Sequence, residues 1–209
     1  MPNYVYKIFN LKNMNHSFQS QWDTFFPNKV PISQYLVQYF TNSWFRIHSL
    51  PESKRYADTT EEYELLLNRH NQIITDCFGE NTPIFIVSGH YFSLSDMDQA
   101  YDPIFNIQYK FHLEKEINLT QTNPEDYDDE ENLFFKPCST EVNWKPNIHN
   151  DLLKKIADDK VKAFMISFKQ NIIVAPYDGG IDLIIFDDTK RNALRDKYKN
   201  WLSPRADGL

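Results

Sequence analysis

Two strongly apolar, β-branched runs, Ile172–Ala175 and Ile181–Phe186, flank a Pro176-Tyr177-Asp178-Gly179-Gly180 turn. No other stretch restricts the fold as much. Runs of this length joined by so short a link read as antiparallel strands. The preceding run, Ala163–Phe168, is separated from Ile172 only by Lys169-Gln170-Asn171, which has the lengths of a β-hairpin. Three consecutive strands are therefore expected. Glycine reaches backbone conformations closed to other residues. The chain has only five glycines, and two stand together in this turn, which predicts a demanding geometry. Asp182 lies inside the last apolar run, where a lone buried carboxylate would be costly. Arg46, set within its own aromatic strand, is the candidate partner, in a structural ion pair.

The remaining pattern is mixed. Tyr4–Phe9 alternates as an opening strand would, and Ser43–Leu50 places Trp44, Arg46 and His48 on one face against Phe45, Ile47 and Ser49. Apolar spacing and an entry proline predict a helix over Pro31–Phe40. The clearest helix starts at a Thr59 cap with Glu62 three residues on. It carries Tyr63, Leu66, Leu67, His70, Ile73, Ile74 and Cys77, and closes at Gly79. Pro83–Ser88, Pro103–Leu113 and Leu133–Phe135 read as strands. Ile148–Ala157 and Thr189–Leu202 read as helices, the latter capped by Asp187 and Asp188. The sum predicts an α+β fold: a mainly antiparallel sheet with helices packed on one face, in one domain. The acidic block at 120–132 is the place where it would divide, as a solvated loop.

Charge and composition narrow the function. Hydrophobic residues at 41% and charged residues at 24% exclude wholesale disorder. A net charge of −7, with basic clusters no longer than Lys54-Arg55 and Lys190-Arg191, argues against a nucleic-acid binder held by phosphate contacts. No run approaches the ~18 apolar residues that a membrane span needs. The N-terminus lacks a secretion signal, so a cytoplasmic protein is expected. Cys77, on the long helix, and Cys138, placed in a loop, form no C-x-x-C pair and are expected to be free thiols.

Candidate chemistry centres on Arg46, His48, Asp178 and Asp182. Meeting in one cleft, Arg46 and His48 could hold an anionic group while the acids act on it. Against that, Asp178 suits a turn cap, and two carboxylates are too few oxygen ligands for a hard cation. No metal or cofactor is expected. His70 and Cys77 lie about 10 Å apart along a helix, too far for a nucleophile pair. Asp96, Asp98 and Asp102 lack the glycine and glutamate of a calcium loop. No phosphate-binding glycine loop, G-x-S-x-G or H-E-x-x-H occurs.

Three segments, Arg46–Tyr56, Tyr177–Asp182 and Tyr198–Leu202, resemble an uncharacterised family of bacterial proteins, a domain of unknown function. The resemblance implies a small bacterial cytosolic protein and supports the fold, but brings no activity. With no complete catalytic motif, acidic charge and 15% aromatics, the expectation is a non-enzymatic protein-binding protein similar to small acidic immunity proteins. Its partner would be a basic protein, steered by Glu125, Asp126, Asp128 and Asp129, with Tyr177 and Asp178 as contacts. The competing expectation is an enzyme using the Arg46–His48–Asp178–Asp182 set.

Overall fold

The apolar runs pair into one antiparallel sheet in the computed structural model, which describes residues 17–93, 109–122, 127, 132–203 and 205. Its strands are β1 (Trp44–His48), β2 (Pro83–Ser93), β3 (His112–Leu113), β4 (Ile117–Asn118), β5 (Leu133–Asn143), β6 (Phe164–Ser167), β7 (Ile172–Tyr177) and β8 (Gly180–Ile185). The order is β1-β8-β7-β6-β2-β5-β3, with β4 also on β5. The helices are α1 (Phe18–Phe25), α2 (Leu36–Tyr39), α3 (Thr60–Phe78), α4 (Leu119–Thr122), α5 (Asn150–Ala157) and α6 (Asp188–Lys197). The fold is α+β, with the 163–186 hairpin and third strand where the sequence puts them. The Tyr4–Phe9 strand and positions 103–108 lie outside the described residues.

Helices cover both faces of this sheet, where one covered face was expected. On one side α3, α5 and α6 bring Ile73, Ile74, Cys77, Leu152, Leu153, Ile156 and Leu194 onto Ile84, Ile86, Met165, Val174, Ile181 and Leu183. On the other, α1 and α2 bring Phe18, Trp22 and Leu36 onto Val87, Phe164, Ile166, Ile173 and Ile184. The physical reason is visible in β7 and β8, in which every residue but Tyr177 is buried. A strand buried on both sides is apolar continuously, not alternately. α1 is held by a ring cluster: Trp22 packs edge-on against Phe26 at 4.9 Å, and its indole donates to the Lys29 carbonyl at 2.6 Å.

β2 and β5 outrun their apolar runs, pairing from Pro83↔Asn143 to Ser93↔Leu133. Cross-strand rings hold the far end, with Tyr91–Phe135 at 5.1 Å and Phe92–Phe134 stacked at 5.3 Å. Cys138, expected in a loop, therefore sits on β5 and is buried.

Thr59 caps α3 as read, while Glu62 reaches back one residue beyond the cap. Thr59 Oγ1 accepts from the Glu62 amide at 3.3 Å, and the Glu62 carboxylate accepts from the Asp58 amide at 2.8 Å. Gly79 ends the helix at φ 78°, ψ 154°, a region that is nearly glycine-only. Asp187 caps α6 by accepting from the Lys190 amide, whereas Asp188 is already helical and pairs with Arg191 at 2.7 Å. Ile148, expected on the apolar face of α5, precedes that helix and is 58% exposed.

Candidate functional site

β1 is the edge strand beside β8, and their register sets Arg46 opposite Asp182. Arg46 donates from Nε to Oδ1 at 2.8 Å and from Nη2 to Oδ2 at 2.9 Å, a bidentate pair. The Trp44 indole donates to the same Oδ1 at 2.7 Å. The guanidinium also lies over the Tyr177 ring, 4.5 Å from its centroid. Side-chain exposures of 18% and 11% leave little of the pair to solvent. Burial acts to lower the Arg46 pKa, but the Asp182 carboxylate outweighs it and holds Arg46 above its ordinary value. Burial pushes the Tyr177 hydroxyl up to about 12. Both oxygens of Asp182 are taken by Arg46 and Trp44, which is how a structural ion pair is built.

The paired glycines close this arrangement by their lack of a side chain. Neither Gly179 nor Gly180 is among the positive-φ residues, so unusual backbone angles are not what the turn demands. Instead, a Cβ on Gly180 would lie 2.0 Å from the Ile47 carbonyl oxygen. The turn presses against β1 and accepts a hydrogen bond from the Ser49 amide at the Gly179 carbonyl, 3.1 Å.

Asp178 does not cap its turn. Its Oδ2 accepts from Arg55 Nε at 2.6 Å and from the Tyr56 hydroxyl at 2.8 Å. It thus clamps the β7–β8 turn to the segment after β1. Burial raises the Asp178 pKa, but these two donors overcome it and hold the carboxyl below its usual range. Nor is Asp178 presented to a partner, being 2% exposed. What faces solvent in its place is Arg55 and Tyr56, the Arg55 side chain being 64% exposed. Of the other expected contact residues, Tyr177 is half-buried beneath Arg46. Glu125, Asp126, Asp128 and Asp129 lie outside the described residues, as do Asp96, Asp98 and Asp102.

His48 stays near Arg46 on β1, but Arg46, Asp178 and Asp182 do not share the cleft that it borders. That cleft, of about 390 Å³, is also lined by Pro51, Glu52, Ser53, Arg69 and Trp201, among others. Burial, then the nearby Arg46 charge, lowers the His48 pKa despite a hydrogen bond to the Gly179 backbone. Glu52 and Ser53 are consecutive left-handed residues, at φ 55° and 57°. Such strain costs about 1–3 kcal/mol per residue and collects at working sites. Arg69, on α3, donates from Nη1 to the His48 carbonyl at 3.2 Å and stacks on Trp201 at 4.9 Å. From sequence Arg69 reads as a charge that suits the helix dipole and not as part of a site. Its only signal was a cation on the half-buried flank of an amphipathic helix.

A second cleft, of about 360 Å³, lies between β2 and the 160–164 segment, with Ser88, Tyr91, Lys160 and Lys162 in its wall. Among the described residues, no group of three metal-ligating side chains comes together. No described helix is long and apolar enough to cross a membrane.

His70 and Cys77 serve the core. The His70 ring shares a hydrogen bond with Ser49 Oγ at 2.7 Å, and burial lowers its pKa to about 3. The unfolded chain binds this proton below pH ~6.5 while the native state refuses it until about 3, so stability falls as pH drops through that window. The slope from this residue approaches about 1.4 kcal/mol per pH unit. Urea midpoints at pH 7 and pH 5 should therefore differ, and less so in His70→Gln. Burial also pushes the Cys77 thiol up to about 12. In native protein Cys77 should resist iodoacetamide at pH 8 and label only after denaturation. Rapid native labelling would mean that α3 opens.

The Arg46–Tyr56, Tyr177–Asp182 and Tyr198–Leu202 segments, far apart in sequence, thus meet at one end of the molecule. Neither a curated protein nor a solved structure matches the chain. A family model described as "Domain of unknown function (DUF3885)" matches residues 32–206, from the entry to α2 through the end of the Tyr198–Leu202 segment. That match takes in every strand of the sheet, and the chain belongs to this family.

Proposed function

We propose that the protein works by binding a basic protein partner and not by catalysis, in the manner of a small acidic immunity protein. The observation that carries this reading is the saturation of Arg46, Asp178 and Asp182; the fourth candidate, His48, keeps an unbonded Nε2 that is sealed from solvent. Arg46 and Asp182 are spent on each other, and Asp178 is spent on Arg55 and Tyr56. His70 is neutral and enclosed, and Cys77 is held as a thiol. A general acid or base needs a titratable group free to reach substrate, and none of these is. The charge of −7 favours encounter with a cationic surface.

The test begins with capture from the native cell by the tagged protein, then reconstitution of the captured partner with purified components. A basic protein bound one-to-one, at least about tenfold more weakly once Glu125, Asp126, Asp128 and Asp129 are all changed to Lys, would support the proposal. A partner indifferent to those four changes and to salt would remove the electrostatic basis. The absence of any stoichiometric partner would remove the proposal itself.

A further inference from the structure

We infer that the cleft between the end of β1 and the Lys199–Trp201 turn binds a small organic carboxylate, with Arg69 as its anchor. This site is independent of the proposed protein-binding function. Arg46 and Arg191 are arginines of comparable burial, and each has a carboxylate partner. Among the described residues Arg69 has none; its contacts are the His48 carbonyl and the Trp201 ring. Burial lowers the Arg69 pKa with no carboxylate to offset it. A half-buried cation left in this state favours an incoming anion.

The donors are arranged for one. Arg69 Nε is sealed and unbonded, and Nη1 is taken by the His48 carbonyl, whereas Nη2 is neither sealed nor bonded within the described protein. Ser53 and Asn200 line the same cleft, and neither side chain makes a hydrogen bond among the described residues. Trp201 holds the guanidinium over its ring at 4.9 Å, and the free Nη2 offers a planar carboxylate a charge-assisted hydrogen bond. Leu50, Pro51 and Leu202 supply apolar wall for the body of the ligand, and about 390 Å³ is room for a small organic molecule. Glu52 also lines the cleft. With one guanidinium and one carboxylate in its wall, the cleft accommodates a monoanion better than a phosphate dianion.

The experiment uses the full chain, with benzoate and inorganic phosphate as probes, followed by NMR at the Trp201 indole N–H. Benzoate should give a saturable shift, and Arg69→Gln should weaken it at least about tenfold. The Ser53→Ala/Asn200→Ala double variant should weaken it several-fold, while Arg195→Gln, on the exposed flank of α6, leaves it unchanged. If Arg69→Gln does not fold, the double variant carries the test. No saturable benzoate shift, an affinity unmoved by these variants, or tighter binding of phosphate than of benzoate would each overturn the assignment.

Discussion

Arg46→Ala should cost about 3 kcal/mol, because it strands the Asp182 carboxylate inside a wall of aromatic side chains. Asp182 is 8% exposed and would keep only the Trp44 indole as donor. Losing the cation also strips the Tyr177 face of its cover. The loss should be visible as a shift of the urea midpoint with little change in slope. Arg46→Met/Asp182→Asn is the informative companion. Methionine refills the space over Tyr177, and the asparagine oxygen still accepts from Trp44, so most of the loss should return. A surface ion pair is worth 1 kcal/mol or less. Arg46→Ala within about 0.5 kcal/mol of the parent would therefore place this pair in water and not in the edge of the core.

Gly180→Ala should be as damaging, at about 3 kcal/mol, for a different reason. The added methyl meets the Ile47 carbonyl oxygen at 2.0 Å, and that atom belongs to backbone, which cannot turn aside as a side chain can. The tip of the turn and β1 must separate. β1 is paired along one edge by β8, and among the described residues only the Ile47↔Leu202 bridge lies outside it. Amide exchange in Gly180→Ala should accordingly rise first across Phe45–Ser49 while β2 and β5 stay protected. Uniform loss of protection would show that β1 does not yield on its own.

The contrast between Gly79 and Gly180 shows why glycine is hard to interpret from sequence. Both look like turn residues. Gly79 is required by its backbone angles, which a capping argument anticipates from the helix before it. Gly180 is required by a carbonyl from a strand more than a hundred positions earlier, and no local pattern carries that information.

The candidate site divides in the same way. The Arg46–Asp182 pair was legible because two lone charges in two apolar strands have few partners, and β-pairing supplies a register. Asp178 was misassigned to its own turn. Its donors, Arg55 and Tyr56, come from a loop whose path the chain does not announce. From sequence Arg69 reads only as a cation that suits the helix dipole, since an arginine on a helix ordinarily faces water. α1 has no counterpart among the elements expected from sequence, although Phe18, Trp22 and Phe26 recur four residues apart behind a Ser17 cap.

By itself the sequence determined the fold class, the three C-terminal strands and their antiparallel pairing, the long helix with its Thr59 cap, and the two members of the ion pair by their isolation. All are short-range consequences of periodicity, turn length and the cost of a lone charge. Tertiary structure alone decided that both faces of the sheet are covered, that Asp178 and Asp182 serve two separate clamps, and that Arg69 and Trp201 form a cleft at the end of β1. These depend on which surfaces meet after the chain has turned back on itself, and contact between distant segments leaves no period in the sequence to be read.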